Sequence, residues 1–179
     1  MTLGLDAGVL PPAGVLTPAA VLVPLVDHDD GFTVLMTRRT DHLAHHGGQV
    51  CFPGGRVEDA DESMIATALR ETSEEIGLDE RTVRLIGLLD DCETVTGFLV
   101  RPVVGLVTPP LEMRIDPNEV AYAFEMPLSV LLDPDSFRLM TITHRGKEVE
   151  TLAILYDGHT IWGATARILM SLHRILRAP

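Results

Sequence analysis

GGRVEDADESMIATALRETSEEIGL, residues 54–78, decides how the chain is read. It opens with two glycines behind Pro53 and runs on as a polar loop. From about Asp61 to Ile76 the spacing predicts a helix, with Asp61 or Ser63 as its cap and Gly77 as its stop. At about 100° per residue, Ile65, Ala68, Leu69, Thr72 and Ile76 fall on one side. Glu71, Glu74 and Glu75 fall on another, within an arc of roughly 100°.

Carboxylates this close repel one another, and like charges at such spacings weaken a helix. A hard divalent cation removes the conflict. Mg²⁺ accepts carboxylate oxygens, keeps several waters and shares itself with substrate phosphates. Arg70 lies one turn before Glu74 and can pair with it or orient a neighbour. The competing reading is a solvated acidic face closed by a capping glycine.

Working outward, the 179 residues predict one domain with a sizeable core, 46% hydrophobic but only 4% aromatic. That core must come from Val, Leu, Ile, Ala and Met. A net charge of −12 excludes a general affinity for nucleic acid, which needs a basic footprint. It leaves room for an anionic small molecule held by metal ions and a few arginines. Cys51 and Cys92 provide no disulfide framework, and Cys51 beside Phe52 reads as a buried thiol. No apolar run is long enough to cross a bilayer, and the N-terminus lacks a basic secretory start, so the expected location is cytoplasmic.

Residues 1–17 are rich in Gly and Pro and are expected to form an irregular arm, with residues 18–179 as a single domain. Ala19–Val26 and Phe32–Thr37 read as a hairpin around the turn at 28–31. Pro24 predicts an edge or a bulge in the first of these strands. Arg38–Val50 is a loop carrying Arg38, Arg39, His42, His45 and His46. Arginine is suited to clamp phosphate oxygens in pairs. His45 and His46 are solvent-exposed or functional, and no zinc spacing surrounds them.

Further on, Val83–Leu89 is a predicted strand, and Val95–Val107 another, broken near Pro102. Val120, Tyr122 and Phe124 mark a short strand, and Pro127–Leu132 a short helix. Phe137–Thr143 and Val149–Leu155 form a hairpin, and Ala164–Leu176 an amphipathic helix. Trp162 reads as a core anchor. The fold class is α/β (α+β), a mixed sheet sandwiched between helices.

The run from Arg70 through Gly77 behind a diglycine loop resembles the Nudix hydrolase box. Arg70, Glu71, Glu74, Glu75 and Gly77 match it. Two departures stand out. One extra residue lies between Gly55 and Arg70, so Asp61 or Glu62 could fill the place of the first glutamate, and Thr72 replaces an aliphatic residue. A narrower resemblance covers Leu35–Asp61, which is similar to the extra motif of the coenzyme A pyrophosphatase branch. The matching positions are Leu35, Thr37, Arg39, Thr40, Leu43, His46, Gly48, Gln49 and Phe52–Gly55. That branch also carries the extra box residue. The similarity continues through 91–105, 118–128 and 161–169.

What the resemblance implies is metal-dependent cleavage, with Mg²⁺ or Mn²⁺, of the diphosphate of coenzyme A or its acyl or oxidised forms. The products would be 3′,5′-ADP and 4′-phosphopantetheine. Glu71, Glu75 and Glu74 would be metal ligands, with the Gly55 carbonyl a further one, and Arg70 would orient a glutamate. Arg38, Arg39, His46, Gly54 and Gly55 would position substrate, with Arg101 near the same pocket and Phe52 beside it or in the core. The general base is open among the box glutamates, Glu119 and Glu125. Alternatives are a Nudix pyrophosphatase for ADP-ribose or another nucleoside diphosphate derivative, or a non-catalytic Nudix ligand-binding domain. The expected partner is a small molecule, with no nucleic acid and no membrane, on a monomer or homodimer.

Overall fold

The computed structural model describes residues 16–43, 46–144 and 146–178. All but the end of the expected N-terminal arm, and His45, lie outside them. The first strand starts two residues earlier than expected. β1 (Thr17–His28) and β2 (Gly31–Arg39) form the predicted hairpin, pairing only from Leu25↔Val34 to His28↔Gly31. Beyond that the two strands splay. Into the opening fit two short strands, β3 (Val50–Cys51) against β2 and β4 (Gly54–Arg56) against β1.

The helix α1 (Met64–Ile76) follows. Ser63, not Asp61, is its cap: the Ser63 hydroxyl accepts the Ala66 N–H at 3.1 Å. Gly77 ends it at φ 69°, a left-handed conformation in which glycine carries no Cβ penalty. Then come β5 (Val83–Leu88), β6 (Cys92–Glu93), β7 (Phe98–Val107) and β8 (Val120–Pro127). The chain closes with α2 (Leu128–Leu132), β9 (Phe137–His144), β10 (Lys147–Tyr156), β11 (His159–Trp162) and α3 (Gly163–Leu176).

Among the described residues the main sheet has eight strands. β7 runs parallel to β1 along its length, from Thr17↔Phe98 to Val26↔Val107. β5 lies antiparallel outside β7, and β8 antiparallel outside β2. A separate three-stranded sheet is ordered β11–β10–β9. Alternation along the strands sends side chains to two cores. Leu22, Leu35 and Val103 pack with Ala68 and Ile76 of α1. Val23, Val34, Met36 and Met126 pack on the other face with Leu169 and Leu172 of α3 and Ile154 and Ile161 of the small sheet. Each fully buried Leu or Met contributes about 1.5–3 kcal/mol. This is the expected α+β layering, a mixed sheet between helices.

Two strand expectations need correction, both over proline. β7 is not broken at Pro102, which pairs with Val21 inside a continuous ladder. Pro24 lies neither on an edge nor at a bulge, because β1 is central. Leu22 donates its N–H to Pro53 O at 2.9 Å, so two residues on, the Pro24 nitrogen faces the same side. There it falls between the end of the β4 ladder at Val21 and the start of the β2 ladder at Leu25. No ladder bond is lost. Thr72 is also buried, and its hydroxyl donates to the Ala68 carbonyl at 2.6 Å, which lets it stand in an aliphatic position. At the end of α3, the apolar Ile175 and Leu176 are exposed.

Candidate active site

The splay of β1 and β2 places the diglycine segment on top of α1. Gly54 and Gly55 pair with Val21 and Ala20 of the central strand. A Cβ built on Gly55 would lie 2.4 Å from the Glu71 carboxyl carbon, so only glycine lets this backbone reach the carboxylate. At Gly54, φ is 153° and a Cβ would meet the Ala20 carbonyl oxygen at 2.4 Å. The Gly54 N–H donates to Glu75 Oε2 at 3.2 Å.

Glu75 is 2% exposed. Arg39 faces it from β2, Nη1 to Oε1 at 3.5 Å. Burial outweighs both partners and, helped by the charges of Glu119 and Glu71, pushes the Glu75 carboxyl up to about 8. Burial also raises Glu71, against the pull of Arg70, with Glu74 and Glu119 adding to the rise. The exposed Glu119 is therefore electrostatically part of the group, although no sequence spacing connects it to the helix. Glu125 is not. It binds His28 Nε2 at 2.5 Å and the Thr33 hydroxyl, at the opposite end of the hairpin.

Arg70 is the hub of the polar side of α1. Its Nε and Nη2 donate to the two oxygens of Asp61 at 2.9 and 3.0 Å. Its Nη1 donates to Glu71 and to Glu74, each at 3.1 Å, and Nη2 also reaches the Arg56 carbonyl. Asp61, held well below the usual carboxylate range chiefly by Arg70, also accepts from the Thr67 hydroxyl and the Glu58 N–H. The choice left open between Asp61 and Glu62 thus falls on Asp61 as the partner of Arg70. Nothing in the spacing shows this, because the loop brings Asp61 back against the helix.

The residues Arg38, Arg39 and His46 do not gather at one place. Neighbours on a strand face opposite ways. Arg39 reaches Glu75, while Arg38 stands on the α3 side, bonded to Asp41 at 2.7 Å and 5.9 Å from the Tyr122 ring centre. His46 is exposed, with Gln49 as its partner at 2.9 Å. Arg101 lies across Ala20 from Gly55, its guanidinium held by Asp91. Phe52 belongs to the core at 3% exposure. Cys51 is half-buried, with burial raising its thiol. Trp162, expected as a core anchor, is half-buried and lines a recess with Arg38, so that expectation fails.

Residues 16–144 match the NUDIX domain family. The chain belongs to the Nudix family. It is 42% identical over 140 residues to the "Uncharacterized Nudix hydrolase NudL" of Photorhabdus laumondii, covering 78% of this chain and 75% of that one. The Escherichia coli protein of the same name is 42% identical over 139 residues, covering 78% and 72%. Among solved structures, the Mycobacterium smegmatis (M. Smegmatis) Nudix hydrolase RenU superposes with a TM-score of 0.61 at 18% identity, over 89% of this chain and 85% of that one. A Caenorhabditis elegans (C. elegans) Ap4A hydrolase gives 0.54 at 18% identity, over 62% and 80%. At these identities the structures speak for the fold alone. As a Nudix hydrolase this protein acts on diphosphate bonds. Among the described residues no helix is long and apolar enough to span a membrane.

Nudix hydrolases typically use divalent metal ions. The donor set here fits such an ion. The charge of Glu71 adds to the proton affinity of Glu75, and the Gly55 backbone presses on Glu71 where any side chain would intrude. Among the described residues no three acidic, His or Cys side chains form a ready cage. Mg²⁺ does not need one, since it usually keeps several waters and completes its shell with substrate phosphates.

Proposed function

We propose that this Nudix hydrolase cleaves the diphosphate of coenzyme A, or of its acyl or oxidised forms, to 3′,5′-ADP and 4′-phosphopantetheine. Water adds to one phosphorus, and the bridging P–O bond breaks. The observation that carries the reading is a coincidence of place. The run Leu35–Asp61, similar to the coenzyme A branch, supplies both Arg39 beside Glu75 and the Gly54–Gly55 backbone over Glu71. The segment that types the substrate therefore borders the carboxylates.

In this reading Glu71 and Glu75 are the principal metal ligands, with Glu74 and the Gly55 carbonyl beside them. A Mg²⁺ or Mn²⁺ ion held there would supply charge neutralisation of the diphosphate and a more acidic water. Arg70 keeps Glu71 and Glu74 oriented and is itself held by Asp61. Arg39 faces Glu75 and, in this reading, would also meet a phosphate oxygen. Glu119, the carboxylate from outside the box whose charge reaches both ligands, is the candidate to accept the proton of the attacking water.

The test is incubation with coenzyme A and Mg²⁺ or Mn²⁺, in parallel with ADP-ribose, and chromatographic separation of the products. Formation of 3′,5′-ADP and 4′-phosphopantetheine, faster than ADP-ribose cleavage, is expected. Intact coenzyme A alongside rapid ADP-ribose cleavage overturns the assignment.

A further inference from the structure

Behind the carboxylates, on the α3 side of the sheet, lies a recess of about 680 Å³, within the usual range of ligand sites of about 300–1,000 Å³. Its floor is a cross-strand row, Val50 of β3, Arg38 of β2 and Tyr122 of β8, which are register partners. Its wall is the β10–β11 turn with His159, and Trp162 closes the far side. Nothing in the hydrolytic chemistry uses these groups.

The aromatic wall is fixed in place. The His159 ring stacks on Phe124 with centroids 3.9 Å apart and planes 8° from parallel. Its Nδ1 donates to the Tyr156 carbonyl at 3.2 Å, and its Nε2 meets the Tyr122 hydroxyl at 3.1 Å. Tyr122 is thereby held with 40% of its surface exposed, an unusual position for a large ring. Arg38 is not a free cation awaiting a phosphate, because Asp41 answers its charge at 2.7 Å. Gly48 packs on that pair so closely that a Cβ would lie 2.7 Å from Asp41 Oδ1. Asp157 adds a second carboxylate to the lining. The recess therefore offers the aromatic faces of Tyr122 and Trp162 within a polar rim, where Arg38 donates, Asp41 and Asp157 accept, and Gln49 and Thr160 can do either, with no excess positive charge.

We propose that this recess receives a purine base, the nucleoside end of the substrate. A neutral heteroaromatic ring with both donors and acceptors on its edge matches that inventory, whereas a phosphate or a flexible aliphatic arm does not. The base would lie along Tyr122 and Trp162, with its edge toward Arg38 and Asp41. Only three residues separate Val50 in the recess from Gly54 at Glu75, so the two lie at most roughly 13 Å apart, the reach of four extended steps. A nucleoside diphosphate derivative can bridge that distance. The proposal rests on the reading of the substrate as such a derivative.

Trp162 is the single tryptophan of the chain, so its fluorescence reports the recess directly. The experiment titrates the full-length protein, without metal, with adenosine and separately with 4′-phosphopantetheine. Adenosine is expected to change the emission saturably and 4′-phosphopantetheine to leave it unchanged. Tyr122→Leu and Arg38→Ala, both at partly exposed positions, should weaken adenosine binding, the first by about tenfold, as loss of one base–aromatic stack implies. No saturable change with adenosine, binding indifferent to both substitutions, or a response to 4′-phosphopantetheine instead overturns the proposal. Because no turnover is involved, coenzyme A that stays intact while adenosine binds would sink the substrate assignment and leave the recess standing.

Discussion

Asp61 grips Arg70 through two hydrogen bonds, 2.9 Å to Nε and 3.0 Å to Nη2, and leaves Nη1 to divide itself between Glu71 and Glu74. The bidentate geometry fixes the guanidinium plane, and through it the direction of the glutamates. Asp61→Ala is expected to lower turnover by about 10- to 100-fold, the usual cost of losing a partner that orients metal ligands. The Mg²⁺ concentration for half-maximal rate should rise alongside. Circular dichroism and a Mg²⁺ titration of the rate check this; unchanged Mg²⁺ dependence would remove Asp61 from the site.

Glu75 couples the site to pH. Its carboxyl rises from the ordinary range, near 4.5, to about 8 in the fold because it is buried. A group protonated more readily when folded favours the fold below its unfolded value and withdraws that support as pH climbs through its folded one. In chelator, thermal stability should therefore fall between pH 5 and 9. The contribution is a few kcal/mol at most, since each pH unit between the unfolded and folded values is worth about 1.4 kcal/mol. Glu75→Gln should flatten that fall. Mg²⁺ should raise the melting temperature more at pH 8.5 than at pH 6, as it displaces the proton. A wild-type profile as flat as that of the variant would contradict the burial argument.

The same Glu75→Gln change keeps volume and removes charge, so it should preserve the fold and abolish most turnover. Loss of a proposed ligand would weaken the hold on the cation that neutralises transition-state charge, which corresponds to at least about 100-fold in kcat. Steady-state rates at saturating Mg²⁺ provide the check.

The two glycines should fail differently. Gly54→Ala puts a methyl 2.4 Å from the Ala20 carbonyl at a φ of 153°, so the strand itself must move. A loss of about 1–3 kcal/mol in urea denaturation is expected. Gly55→Ala meets the Glu71 carboxylate, not backbone. It should melt near wild type and lose activity, because the displaced group is a proposed metal ligand.

Glu119 and Glu125 also separate. Glu119→Gln should cut kcat by about 10²–10⁴ if it takes the proton. Glu125→Gln, a change at a carboxylate bonded to His28 and Thr33, should alter stability and leave kcat within a factor of about two. Parallel kinetics on both variants test the assignment.

The box helix was legible because its information is local: the periodic apolar face, Ser63 ahead of it and Gly77 after it. The hairpins, the short α2 and the C-terminal helix were legible for the same reason. The prolines misled because a missing N–H matters only where a ladder needs it, and the gap beside Pro24 exists only after β3 and β4 have entered the sheet. Arg38 and Arg39 looked alike in a polar stretch, but both belong to β2, and the pleat sends them to opposite faces. Tyr122 and His159 are 37 residues apart, and Asp61 meets Arg70 only through a loop. No short-range pattern could pair them.

The pairing of Gly55 with Ala20 has an evolutionary consequence. The upstream end of the signature is bolted into the central strand, and its downstream end is a rigid helix capped by Ser63. Between them, the stretch from Val57 to Glu62 belongs to no helix or strand, so it is the place where a change of length is easiest to absorb. An insertion there, ahead of Asp61, enlarges a bight without shifting either anchor or the grip of Asp61 on Arg70. Chains with different spacings between Gly55 and Arg70 could therefore present one constellation, which backbone pairing would reveal and a count of letters would not.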